Sequence, residues 1–120
     1  MIVIDDDADV AETTAAALRA LGHRVGVVTD PRQGLAVVAA EKPDIAFLDI
    51  GMPHIDGFKL ATMLKSAVPE LCVVAVTAYD EPQHRRRGRS AGFDAYLAKP
   101  VDLATLEAAM STLLESRAPP

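Results

Sequence analysis

Three apolar runs in this chain each end on charge. Met1-Ile2-Val3-Ile4 leads into Asp5-Asp6-Asp7, Ile45-Ala46-Phe47-Leu48 into Asp49, and Ala95-Tyr96-Leu97-Ala98 into Lys99. Carboxylate oxygens are hard ligands, and an acidic group with no Cys or His beside it suits Mg²⁺, with Mn²⁺ as a substitute, better than zinc or copper. Asp6 and Asp49 are candidates for direct ligands, with Asp5 holding a water or orienting the shell. Gly51, two residues past Asp49, offers a backbone carbonyl. Lys99 supplies a fixed positive charge suited to a phosphoryl oxygen, and Thr77, at the end of a fourth apolar run, supplies a hydroxyl donor. An aspartate beside a metal and a lysine is the arrangement expected of an aspartyl-phosphate acceptor, in which the protein mainly positions groups and neutralises charge.

That chemistry requires the runs to finish at one place. Short apolar runs read as buried parallel strands, and parallel strands all end at the same edge of their sheet. The expected strands are Met1–Ile4, Val25–Val28, Ile45–Leu48, Leu71–Val76 and Ala95–Ala98. Between them, Val10, Thr14, Ala17, Leu18 and Leu21 recur at helical spacing, and Gly22 is placed to end that helix. Leu35, Val38 and Ala39 mark a second helix, opening at Pro31 and stopping before Pro43. Phe58, Ala61, Leu64 and Val68 mark a third, ended by Pro69. A fourth, less apolar, runs from Glu81 to Ala91 and closes at Gly92. Leu103, Leu106, Met110 and Leu113 mark the fifth, with Asp102 placed as its N-cap.

Strands alternating with helices imply an α/β fold with a parallel sheet covered on both faces. Right-handed crossovers favour the five-stranded order 2-1-3-4-5, the flavodoxin-like (βα)5 arrangement, whose ligand crevice lies outside the carboxyl ends of strands 1 and 3. Those are the ends that carry Asp5-Asp6-Asp7 and Asp49.

The chain has 120 residues, half of them hydrophobic, which bounds it to one domain with a single core. Twelve basic against 17 acidic side chains give a net charge of −5, which argues against nucleic acid as a direct ligand. No apolar stretch approaches the roughly 20 residues that span a bilayer, and no leader pattern opens the chain. The single Cys72 excludes an internal disulfide and fits a reducing, cytoplasmic setting as a buried strand thiol. Residues 1–115 read as the domain, with 116–120 as a tail or linker start.

Each candidate has a plainer reading by itself. Acidic strand ends often cap helices, and Asp7 or Asp9 suits that role for the first one. A lone Lys99 would be a solvated charge, and Thr77 a strand residue. Jointly they favour a site, because unrelated surface residues have no reason to share one crevice. Arg85-Arg86-Arg87 reads as a solvated run, since neighbours on a helix lie about 100° apart. His23, His54 and His84 have no metal-ligand spacing.

The chain resembles the receiver domain of two-component response regulators. The resemblance rests on Asp5-Asp6 after the first strand, Asp49 followed by Ile50-Gly51-Met52-Pro53 and Asp56-Gly57, Thr77-Ala78 after the fourth, and Tyr96-Leu97-Ala98-Lys99-Pro100 at the fifth. It implies that Asp49 accepts a phosphoryl group from a phosphohistidine of a kinase or phosphotransfer protein. Mg²⁺ would be held by Asp5, Asp6, Asp49 and the Gly51 carbonyl, with Thr77, the Ala78 backbone and Lys99 on the phosphoryl oxygens. Thr77 and Tyr96 would be the switch pair, and the Lys99-Pro100 bond cis. Gly51 and Tyr79 occupy positions that tune dephosphorylation. The surface of the fourth helix, fifth strand and fifth helix would carry the signal and a possible homodimer contact. No enzymatic activity beyond self-phosphorylation and autodephosphorylation is implied. Ile50-Gly51-Met52-Pro53 and Lys99-Pro100-Val101-Asp102 also resemble receivers fused to hybrid histidine kinases. Two other functions compete: an aspartate-nucleophile phosphatase, which would place its nucleophile on strand 1 and needs a cap domain, and a pseudo-receiver that only binds. The set Asp6, Asp49, Thr77 and Lys99 argues against the second.

Overall fold

A computed structural model describes residues 1–51, 56–77, 92–99 and 102–117, with side chains to 113 in the last segment. The strands are β1 (Ile2–Ile4), β2 (Gly26–Val28), β3 (Ile45–Asp49), β4 (Cys72–Thr77) and β5 (Ala95–Ala98). They form one parallel sheet in the order β2-β1-β3-β4-β5, as the alternating pattern predicts. Every residue of β1, β3 and β4 is buried, which explains their unbroken apolar runs: both faces of the sheet are covered.

Helices α1 (Ala8–Ala20), α2 (Gly34–Glu41), α3 (Gly57–Ala67) and a C-terminal helix (Leu103–Arg117) provide that cover. One core lies on the face of Ile2, Ile4, Leu48, Val73 and Ala75 and takes in Val38, Phe58, Ala61 and Leu64 of α2 and α3. The other lies on the face of Val3, Phe47, Val74 and Val76, against Ala11, Ala15 and Leu18 of α1 and Leu106 and Met110 of the C-terminal helix. The expected helix from Glu81 to Ala91 falls outside the described residues.

Helix ends follow the capping residues. Asp7 accepts hydrogen bonds from the Asp9 and Val10 amides at 3.1 and 3.2 Å, and α1 stops at Leu21 ahead of Gly22, whose φ of +94° suits a residue without a Cβ. Asp56 caps α3 through the Phe58 and Lys59 amides, and Asp102 accepts from Thr105 N at 2.7 Å. Three expectations shift. The second helix begins as a short 3-10 turn, Pro31–Gln33, capped by Asp30, and becomes α-helical only at Gly34, which packs on Ile4; Ala39 is exposed. In α1 the buried residues are Ala11, Ala15 and Leu18, while Val10, Thr14 and Ala17 lie at the margin, because small side chains let the helix settle against the sheet beside the C-terminal helix. Leu103, expected in the last apolar stripe, is 48% exposed in the first turn, ahead of the buried Leu106. No helix among the described residues is long and apolar enough to cross a membrane.

Candidate functional site

Strand register builds the site. Ile4 pairs with Leu48, so the next residues, Asp5 and Asp49, leave the sheet side by side. Thr77 pairs with Ala98, and the Lys99 amide donates to the Thr77 carbonyl at 2.7 Å, which brings Lys99 to the same edge. Lys99 Nζ lies 3.2 Å from Asp5 Oδ2 and 3.1 Å from Asp49 Oδ2. The other oxygen of each carboxylate accepts a backbone amide two residues on: Asp7 N to Asp5 Oδ1 at 3.0 Å, Gly51 N to Asp49 Oδ1 at 2.8 Å. Both acids are therefore held the same way, by main chain on one oxygen and ammonium on the other. Asp5 and Asp49 are buried and Asp6 is exposed.

Ile50, the residue after Asp49, sits directly against the start of α3. A Cβ on Gly57 would come within 2.8 Å of Ile50 Cα, so only glycine lets α3 start this close to the residue that follows Asp49.

Charge does not balance here. Burial raises the Asp5 carboxyl above its ordinary range, the Asp7 amide opposes this, and the Asp49 charge adds to the rise against Lys99. Burial pulls Lys99 down, but its hydrogen bond and charge interaction with Asp49, and those with Asp5, outweigh this and leave the ammonium firmly protonated. Oxygens of Asp5, Asp6 and Asp49 all lie within 4.8 Å of one another, and among the described residues this group of three carboxylates has one bonded ammonium, Lys99, held by Asp5 and Asp49. The donor set is all oxygen, with two of its members already fixed by main-chain amides, and it fits a hard divalent cation.

The sequence-predicted residues thus divide. Asp5, Asp6, Asp49 and Lys99 come together, with Gly51 bonded to Asp49 and the fully buried Thr77 joined to Lys99 through the main chain. Tyr96 is partly buried on the opposite, α2–α3 face, its ring edge-on to Phe93 at 6.3 Å. Strand alternation puts Thr77 on the same face as Tyr96. Ala78, Tyr79 and Pro100 lie outside the described residues, as do His54, His84 and the arginine run. One neighbour of the site was not singled out by the sequence: Thr14 lines a small cavity together with Asp5 and Asp49. Its signal is a hydroxyl interrupting an apolar helix face.

Residues 1–111 match the family model of the response regulator receiver domain. Response regulator MprA of Mycolicibacterium vanbaalenii is 36% identical over 119 residues, covering 99% of this chain and 52% of that protein. MprA of Mycobacterium avium is 35% identical with the same coverage. The chain spans about half the length of these curated relatives. Among solved structures, a CheY-like response regulator receiver domain protein from Methanospirillum hungatei is 28% identical with a TM-score of 0.87, covering 97% of this chain and 94% of its own. A Burkholderia pseudomallei response regulator with a phosphorylated aspartic acid, a calcium ion and citrate is 26% identical with a TM-score of 0.85, covering 97% of this chain and 69% of its own.

Proposed function

The chain belongs to the response regulator receiver domain family, whose members are phosphorylated on an aspartate, and on that premise we propose that Asp49 is its phospho-acceptor. The observation that carries the assignment is Lys99 Nζ lying at 3.1 Å from Asp49 and 3.2 Å from Asp5, on one sheet edge. A carboxylate oxygen of Asp49 attacks the phosphorus of a phosphohistidine on a partner kinase or phosphotransfer protein. A P–O bond forms, the P–N bond breaks, and the imidazole leaves. Lys99 neutralises phosphoryl oxygens, with the Thr77 hydroxyl and the Ala78 amide as further donors. Asp5, Asp6, Asp49 and the Gly51 carbonyl would hold Mg²⁺, which would supply positive charge against the transferring phosphoryl group.

Thr77 and Tyr96 form the switch that carries the new charge to the surface of the fourth helix, fifth strand and fifth helix, where a homodimer or an effector docks. Gly51 and Tyr79 set the phosphate lifetime; similar autodephosphorylation rates for wild type, Gly51→Asn and Tyr79→Ala would remove that role. The receiver takes in residues 1–115, with 116–120 as a tail or linker start into which the C-terminal helix runs as far as Arg117, and the domain acts in the cytoplasm. The relatives, named as response regulators, support that context over the receiver of a hybrid histidine kinase. The phosphorylated aspartate and divalent ion in the Burkholderia pseudomallei protein support the chemistry.

The test is labelling by acetyl phosphate and Mg²⁺. Wild type is expected to label at one site and Asp49→Ala not at all, with matched circular dichroism. Equal labelling of both overturns the assignment, and turnover of p-nitrophenyl phosphate that survives Asp49→Asn would indicate a phosphatase instead.

A further inference from the structure

We propose that Thr14 is a positioning residue for this site: its hydroxyl holds one water in the cavity beneath Asp5 and Asp49, and that water sets the spacing of the two carboxylates. The inference rests on reading these acids as the cation and phospho-acceptor site.

The cavity, partly open to solvent, lies between α1 and the carboxyl ends of β1, β3 and β4. Val3, Phe47 and Val76 form its apolar wall, and Asp5, Asp49 and Thr14 its polar one. Its room is about 10 Å³, close to the roughly 10–15 Å³ that a single water requires. A purely apolar cavity of this size would stay dry, whereas a water with two to four polar partners is retained. Three polar side chains line this one.

Thr14 also differs from three other helical threonines, while Thr105, in the first turn of the C-terminal helix, turns to its cap Asp102 instead. Thr13, Thr62 and Thr112 each donate a hydroxyl hydrogen bond to the carbonyl four residues back, at 2.8, 3.2 and 3.1 Å. Thr14 makes no such bond among the described residues, and it sits on the helix face turned to the cavity. Each carboxylate keeps acceptor capacity, since a carboxylate takes about four hydrogen bonds and the bonds to Asp7 N, Gly51 N and Lys99 use only two on each acid. The hydrogen bonds of the water close. It accepts from Thr14 Oγ1–H and donates one proton to Asp5 and one to Asp49. That bridge joins two like charges through a neutral group and holds them at a fixed separation before the cation arrives.

Partners behind metal-ligating carboxylates change metal affinity by about 10–100-fold. The experiment is Mn²⁺ titration by electron spin resonance, with no phosphodonor present, on wild type, Thr14→Val and Thr14→Ser. The proposal expects Thr14→Val to bind Mn²⁺ about tenfold more weakly and Thr14→Ser to bind close to wild type. A packing role predicts the reverse order, because valine keeps the volume and serine loses a methyl group. That reverse order, or wild-type affinity in Thr14→Val, overturns the proposal. A high-resolution crystal structure of the wild-type chain tests it without any variant: one ordered water bonded to Thr14 Oγ1 is expected, and an empty cavity overturns it. The acceptor assignment stands or falls separately on whether Asp49→Ala abolishes labelling.

Discussion

The two ends of the sheet each carry a lysine bound to aspartate, and they differ in charge ratio. At the amino-terminal edge, Lys65 Nζ lies 2.8 Å from Asp94 Oδ2. The same oxygen accepts the Val73 amide at 2.8 Å, and the Asp94 amide returns a bond to the Val73 carbonyl at 2.8 Å. One positive and one negative charge close on each other and tie the last turns of α3 to the start of β4 and β5. At the carboxyl edge, one lysine serves Asp5 and Asp49 while Asp6 stands within the same group. The parts are alike, but the first set is complete and works as a clamp. The second has surplus negative charge among the described residues, which suits it to the cation and phosphoryl group proposed for it.

Removing each lysine gives the sharpest contrast. Lys99→Ala should lower the labelling rate by about 10²–10³-fold, the effect of losing one fixed donor to developing charge, while Lys65→Ala should label as wild type does. Comparable losses in both, measured with acetyl phosphate, would dissolve the distinction. The next effect is in stability. Asp94→Ala should cost about 2 kcal/mol in a urea melt by leaving the Val73 amide without its acceptor, with labelling intact.

The Asp5 carboxyl bears the cost of burying charge at this edge, with the Asp49 charge adding to it. Its folded value lies above the ordinary carboxylate range, chiefly through burial. The stability it contributes is therefore full below about pH 3.9 and lost as pH rises through the folded value. Asp5→Asn should accordingly raise the Tm of the ion-free protein by a few degrees at neutral pH, a gain that fades toward about pH 4, and it should weaken Mg²⁺ binding. A lower Tm at neutral pH would show that Lys99 already balances the edge. The smallest effect is that of Lys65→Ala on folding, about 1 kcal/mol for a partly exposed pair, seen as a modest drop in Tm.

Much of this was legible in advance where the signal is local or periodic. Asp7, Asp56 and Asp102 cap the helices that follow them, because a side chain finding its own backbone two or three residues on needs no distant partner. Five short apolar runs were enough to anticipate the sheet order, since handedness leaves few alternatives. The margins of α1 were not legible. Its expected stripe of Val10, Thr14, Ala17, Leu18 and Leu21 holds fully only at Leu18, because packing beside the C-terminal helix turns Ala11 and Ala15 inward with it. Nor was the Lys65–Asp94 clamp, whose members lie 29 residues apart and are of types that occur throughout the chain.

The sequence by itself determined which residue types stand at the strand ends, and with them the choice of chemistry: acids at two, a hydroxyl at a third, an ammonium at the last. Tertiary structure decided how they meet. Register placed Asp5 beside Asp49, gave one lysine to both, and left the cavity that Thr14 faces. Those are distances across 94 and 50 residues of chain, set by the packing of helices on both faces of the sheet, and no local pattern encodes them.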